Sequence, residues 1–151
     1  MKISTYMQRD FRRVSPHTPL RDVARCFYET GQPALPVVRE NGSLAGIITI
    51  EDFILVFLPH YIDLIKSIDF IHDFGFLERS SYTVEEQLLV AEDLMSEDVF
   101  VLEETESVMK AAAALHKHGL QRIPVVSGGQ LTGMISLTDV CRAIYDMEGR
   151  T

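Results

Sequence analysis

Short, β-branched apolar runs recur along the chain between longer stretches where apolar and polar residues alternate at a helical spacing. Ala34-Leu35-Pro36-Val37-Val38 and Arg122-Ile123-Pro124-Val125-Val126 each predict a strand whose proline suits an edge or a strand mouth. Asn41-Gly42 and Gly128-Gly129 are turn signals that join these runs to Leu44–Thr49 and Leu131–Ser136, so each pair reads as a hairpin. A helix is predicted before each hairpin, over Leu20–Thr30 and Val108–His118. Pro19 suits the first helical position of one and Ser107 the N-cap of the other, while Gly31 and Gly119 stand where a left-handed residue closes a helix. Phe11–Val14 and Val99–Leu102 predict short strands upstream, and second helices are predicted to start at Ile50 and Leu137.

The two halves are copies. Sliding the chain by 88 positions places Met7 on Met95, Asp10 on Asp98, Gly31 on Gly119 and Pro36-Val37-Val38 on Pro124-Val125-Val126; after a one-residue deletion Gly46, Thr49 and Asp52 fall on Gly133, Ser136 and Asp139. The expected fold is therefore α/β, with two β-α-β-β-α repeats, residues 1–58 and 93–151, separated by a helical insertion at 59–92. Neither half is large enough to cover both faces of its own sheet, so the halves are expected to pack about a pseudo-two-fold axis, with clefts at the seam. In the insertion Tyr61, Ile62, Leu64, Ile65, Ile68 and Ile71 form a helical stripe, and Thr83-Val84-Glu85-Glu86 is a capping box. Packing of the stripe on the repeats and packing on a second subunit both satisfy it.

Each repeat ends a strand on Gly-x-x-Thr/Ser-x-x-Asp, with Thr49 and Asp52 in one copy and Ser136 and Asp139 in the other. The hydroxyl and the carboxylate share a face of the first helical turn. A carboxylate there is favoured by the helix dipole, its two oxygens suit a cis-diol, and the adjacent N–H groups suit an anion. The same residues also serve as an ordinary N-cap and first-turn acid, and in a single copy that role suffices.

The two Pro-Val-Val strands, the two Gly-x-x-Thr/Ser-x-x-Asp corners and the Gly-terminated helices before them resemble the CBS (cystathionine β-synthase) domain pair, or Bateman module. The resemblance covers nearly all of the chain outside the insertion. It implies a regulatory, non-enzymatic module, often a homodimer, that binds an adenosine-containing ligand such as AMP, ADP, ATP or S-adenosylmethionine and carries no resident cofactor. By that resemblance Asp52 and Asp139 take ribose hydroxyls, Thr49 and Ser136 face ribose or phosphate, and Leu35, Pro36, Ile123 and Pro124 flank the base. Repeat 2 adds Arg122 and Arg142, both fit for phosphate, where repeat 1 has Ala34 and Leu55, so one competent site is expected sooner than two, and the second copy first. Glu103, Glu104 and Glu106 oppose an extended polyphosphate unless a divalent cation intervenes. A ligand-free dimerisation scaffold, or a divalent-cation sensor built on these acids as in the CBS regions of magnesium transporters, are the rival readings.

Composition narrows the classes. The chain carries 22 acidic against 14 basic residues, a formal charge of −8, so binding to a nucleic-acid polymer is disfavoured. Its 151 residues suit one compact module. Met1–Tyr6 lacks the apolar centre of a signal peptide, and the longest apolar run, Phe53–Leu58, is far short of the roughly 20 residues a membrane span requires. A cytoplasmic protein with reduced Cys26 and Cys141 is expected. His116 and His118 point to different faces of a helix, and His60 and His72 have no spaced partners, so no metal site is assigned. No nucleophile–base motif and no phosphate-binding lysine loop is present.

Overall fold

The computed structural model describes residues 1–56 and 88–149. In chain order its elements are α1 (Ile3–Tyr6), α2 (Leu20–Thr30), β1 (Ala34–Val38), β2 (Leu44–Thr49), α3 (Ile50–Leu55), α4 (Ala91–Leu94), β3 (Leu102–Glu103), α5 (Val108–His118), β4 (Arg122–Ser127), β5 (Gln130–Ser136) and α6 (Leu137–Glu148). β1 and β2 form one antiparallel sheet; β3, β4 and β5 form a second, with β3 parallel to β4. Both hairpins break register at the same step, Val37/Val38 and Val125/Val126, so the repeat extends to the bulge. The Tyr61–Ile71 stripe and the Thr83–Glu86 capping box lie outside the described residues.

Local chemistry sets the element ends. Gly31 and Gly119, at φ 64° and 61°, close α2 and α5 in the left-handed conformation their sequence position implies. The turn glycines Gly42, Gly128 and Gly129 also have positive φ. Pro19 is the N-cap of α2 and not its first helical residue: its backbone is extended and its carbonyl accepts from Asp22 and Val23 N–H. The upstream strands are shorter than predicted. Phe11–Val14 contracts to a single parallel bridge between Val14 and Val37, because the Arg12 backbone bonds to the Gln32 side chain instead of to a neighbouring strand. Val99–Leu102 becomes Leu102–Glu103, since Phe100 and Val101 stay exposed and Leu102 alone turns into the core.

Sequence repeats and packing units do not coincide, because the segment at the start of each repeat crosses to the other. Ile3, Tyr6 and Met7 are buried with Leu102, Val108, Leu115 and Ile123 of the second half, and Ile3 N–H donates to Glu106 O at 2.8 Å. Reciprocally, Ala91 and Met95 pack with Val14, Val23, Phe27 and Leu35, and Ala91 N–H donates to Thr18 O at 2.9 Å. Each crossing segment ends as a bridge on the partner hairpin, Gln8 with Met134 and Ser96 with Ile47. A third cluster joins the halves: Val38, Leu131 and Met134, with Phe11, Leu44 and Ile47 against them. This is the predicted pseudo-two-fold arrangement, tied by exchanged segments.

Candidate functional site

The strand-to-helix corners are built alike and finished differently. Thr49 and Ser136 are N-caps, with side chains that accept from Asp52 N–H at 3.1 Å and Asp139 N–H at 3.4 Å. In the second corner the bond is returned: Asp139 Oδ2 accepts from Ser136 N at 2.8 Å and from Ser136 Oγ at 2.7 Å. Its other oxygen, Oδ1, accepts from Gln8 Nε2 at 3.1 Å, and the residue is only 7% exposed. Asp139 is thus a fully engaged clasp. Asp52 is half-buried, and among the described residues its carboxylate accepts no hydrogen bond. It borders a shallow depression with Leu55, Val56, Leu89, Asp93 and Leu94.

A cleft of about 270 Å³ opens at the seam, near the lower end of small-molecule sites, which run from about 300 Å³. Pro33, Ala34, Ile47 and Thr49 enter from the first half; Val99, Phe100, Leu120, Gln121, Arg122 and Pro124 from the second. Side chains alternate along a strand, so Arg122 and Pro124 face the cleft while Ile123 between them is fully buried. Leu35 faces away from the cleft for the same reason. Of the predicted base-flanking residues, Pro124 therefore lines the cleft, whereas Leu35 and Ile123 are 0% exposed in the two separate cores and Pro36 is buried outside the lining.

The cleft pairs groups the sequence reading kept apart. Arg122 and Thr49 of the other repeat both line it, while Ser136 and Asp139 do not. Arg142 is exposed on α6 and does not line it either. Glu51 and Asp98 add acid to the rim. Among the described residues Arg122 forms no ion pair, so its guanidinium is the cation available to a ligand. Gln8 was not singled out from sequence; the signal was its alignment with Ser96, which shows the repeats carrying different side chains at one bridge.

Two of the three acids in the loop of repeat 2, Glu104 and Glu106, are already partnered. Glu106 pairs with Lys110 and accepts from Glu103 N–H at 3.0 Å, and the Lys110 ammonium holds its carboxyl below the ordinary value. Glu104 lies 3.8 Å from Arg9. Among the described residues no cluster of three His, Cys, Asp or Glu side chains is arranged to hold a metal, and no helix is long and apolar enough to cross a membrane.

Comparison with known proteins agrees with this architecture. Protein MJ1225 of Methanocaldococcus jannaschii is 32% identical over 142 residues, 93% of this chain and 46% of that protein. Its crystal structure superposes with a TM-score of 0.74 at 30% identity over 95% of this chain and 47% of that one. Inosine-5'-monophosphate dehydrogenase of Thermoplasma acidophilum is 29% identical over 90% of this chain but only 22% of the enzyme, so the chain spans less than half of either relative. CBSX2 of Arabidopsis thaliana, solved in complex with AMP, matches with a TM-score of 0.72 at 22% identity, covering 97% of this chain and 98% of that one. MJ0100, solved with 5'-methylthioadenosine and S-adenosyl-L-methionine, matches at 0.66 and 18% over 97% and 98%. The CBS domain model matches twice, over residues 3–58 and 90–146, each match taking in one Pro-Val-Val hairpin and one hydroxyl–aspartate corner, and the chain belongs to the CBS domain family.

Proposed function

We propose that this chain is a regulatory module that binds an adenosine monophosphate-type ligand in the seam cleft between Thr49 and Arg122. The observation that carries the reading is that those two residues, from different repeats, line one cleft together with the apolar groups of Pro33, Ala34, Ile47, Leu120 and Pro124. A planar base suits the walls. The Arg122 guanidinium suits a phosphate through paired N–H donors. Asp52 does not line the cleft itself but stands one helical turn from Thr49, in the depression with Leu55 and Leu89, and is uncommitted among the described residues; it is the carboxylate we assign to the ribose hydroxyls. Glu51 and Asp98 at the rim oppose the additional charge of ADP or ATP, and Arg122 disfavours the cationic S-adenosylmethionine. The cation-sensor alternative is weakened because Glu104 and Glu106 already face Arg9 and Lys110. A ligand-free scaffold is the remaining rival.

Ligand filling the seam acts on both halves at once, so its regulatory effect is bounded by its difference in affinity for two relative poses of the repeats. A thermal-shift panel of AMP, ADP, ATP, S-adenosylmethionine and Mg²⁺ on wild type and Arg122→Ala separates the readings. Ligand at a hundredfold excess over Kd adds about 2.7 kcal/mol of stability. AMP is expected to raise the wild-type midpoint most and Arg122→Ala to lose most of that rise; no shift from any adenosyl compound would leave the scaffold in possession.

A further inference from the structure

We propose that Gln8 decides which of the two pseudo-equivalent corners takes ligand: its amide seals the corner at Asp139 and leaves the Thr49 corner as the one adenosine site in each chain. The inference rests on the adenosine reading for the identity of the ligand, and on geometry alone for the seal.

Gln8 and Ser96 occupy the same place in the two halves. Gln8 N–H donates to Met134 O at 2.8 Å and Met134 N–H to Gln8 O at 2.9 Å; Ser96 and Ile47 exchange the same pair at 2.9 and 3.0 Å. From that shared backbone position the glutamine amide reaches Asp139 Oδ1 while Ser136 places two donors on Oδ2, and with the residue only 7% exposed the amide stands where a cis-diol would have to enter. Serine, two carbons shorter, makes no such bond to Asp52.

Two neighbouring differences act in the same direction. Where Val99 lines the open cleft, its counterpart Phe11 is packed into the seam cluster with Val38, Leu131 and Met134. Where Leu120 lines the open cleft, its counterpart Gln32 is 9% exposed, accepts from Arg12 N–H at 2.9 Å and donates to Arg12 O at 3.3 Å, pinning the segment beside the closed corner. An aromatic ring and two glutamine amides thus replace smaller or apolar groups on one side of the pseudo-axis.

Titration calorimetry of the full chain with AMP tests this. Wild type is expected to bind one AMP per chain, Gln8→Ser, which installs the residue of the other repeat, two, the second more weakly because Phe11 and Gln32 remain and Ala34 stands where the open cleft has Arg122, and Ser96→Gln to bind at least tenfold more weakly. Two sites in wild type, or one site in a folded Gln8→Ser, would overturn the proposal. If no variant binds AMP, the adenosine reading fails by itself. The seal is then judged by thermal unfolding of Gln8→Ser, Asp139→Ala and the double variant: strongly non-additive midpoints support it, and additive ones reject it. Should Gln8→Ser not fold, Ser96→Gln decides, because unchanged AMP affinity there removes the role given to this position.

Discussion

Met7 lies over Gly133 so closely that a Cβ on the glycine would come within 2.6 Å of the methionine sulfur. The same relation holds in the other half, where a Cβ on Gly46 would meet Met95 Sδ at 2.8 Å and the Ser96 carbonyl oxygen at 2.7 Å. These glycines open the repeated corner motif because an exchanged segment crosses the strand there. A thioether end swings aside, but a carbonyl in a bridge does not. Gly46→Ala is therefore expected to cost more than Gly133→Ala, whose nearest backbone atom is at 3.1 Å, within an overpacking range of about 1–3 kcal/mol. Urea unfolding of both variants measures it; a larger loss at Gly133 would contradict this ordering.

The two corners differ in stability as well as in chemistry. Ser136→Ala removes an N-cap and strips one oxygen of the buried Asp139 of its hydroxyl donor. Thr49→Ala removes only a cap from a six-residue helix. Cap loss alone costs about 0.5–2 kcal/mol, and loss of the hydroxyl bond to the buried carboxylate adds to it, although the backbone N–H of residue 136 keeps Oδ2 bonded. Ser136→Ala is accordingly expected to lower the unfolding midpoint distinctly more than Thr49→Ala, whereas Thr49→Ala should weaken AMP binding more. Reversal of either order in thermal and calorimetric measurements would exchange the roles of the corners.

Much of this was legible in the sequence, and what was not has a physical reason. The hairpins, the glycine-closed helices and the caps Thr49, Ser107 and Ser136 follow from local chemistry, and each stands at its predicted place. The exchange of α1 and α4 between halves involves partners far apart in the chain, which periodicity does not see. Grouping Arg122 with Asp139 followed from their shared repeat. Arg122 does stand opposite Ser136 in the β4–β5 ladder, yet it also lines the seam cleft that Thr49 of the other repeat enters, a proximity set by the packing of the halves and not by either repeat alone. Gln8 sits outside every motif, and only its match to Ser96 marks it.

Glu106 makes stability depend on acid pH. Its pairing with Lys110 lowers its carboxyl pKa below the ordinary 4.5 in the folded chain. A depressed carboxylate contributes fully above its unfolded pKa, and the contribution is lost as pH falls through the lower folded value. Lys110 is more than half exposed, so solvent screening keeps the effect at about 0–1 kcal/mol. The midpoint of wild type is expected to fall slightly more steeply than that of Glu106→Gln below about pH 4.5. Parallel curves would remove the pair from the stability of the loop.

Helix α6 presents a surface suited to self-association. Leu137, Cys141 and Ile144 share one face, flanked by Tyr145 and Met147, while Asp139, Val140 and Ala143 face the core. Tyr145 is 76% exposed and Met147 54%. Exposed apolar residues clustered on one helix face are a candidate interaction surface, and the homodimer expected from the sequence resemblance is the proposal tested on it. Ile144→Asp with Tyr145→Asp is expected to convert a dimer to a monomer in sedimentation velocity at unchanged fold. A wild type that is monomeric at every concentration would refute the dimer outright.

In the proposed site the discrimination between ligands turns on Arg122. A bidentate guanidinium–phosphate contact inside a partly apolar cleft contributes more than one at an open surface, and hydrogen bonds to charged groups are worth about 1.5–3 kcal/mol. Arg122→Ala is therefore expected to weaken AMP by about ten- to a hundredfold while leaving adenosine, which lacks the phosphate, nearly unchanged. Arg122→Glu should go further and admit S-adenosylmethionine in preference to AMP, because the carboxylate then faces a cationic sulfonium instead of a phosphate dianion. Equal losses for AMP and adenosine would mean that Arg122 shapes the cleft wall and does not read the phosphate.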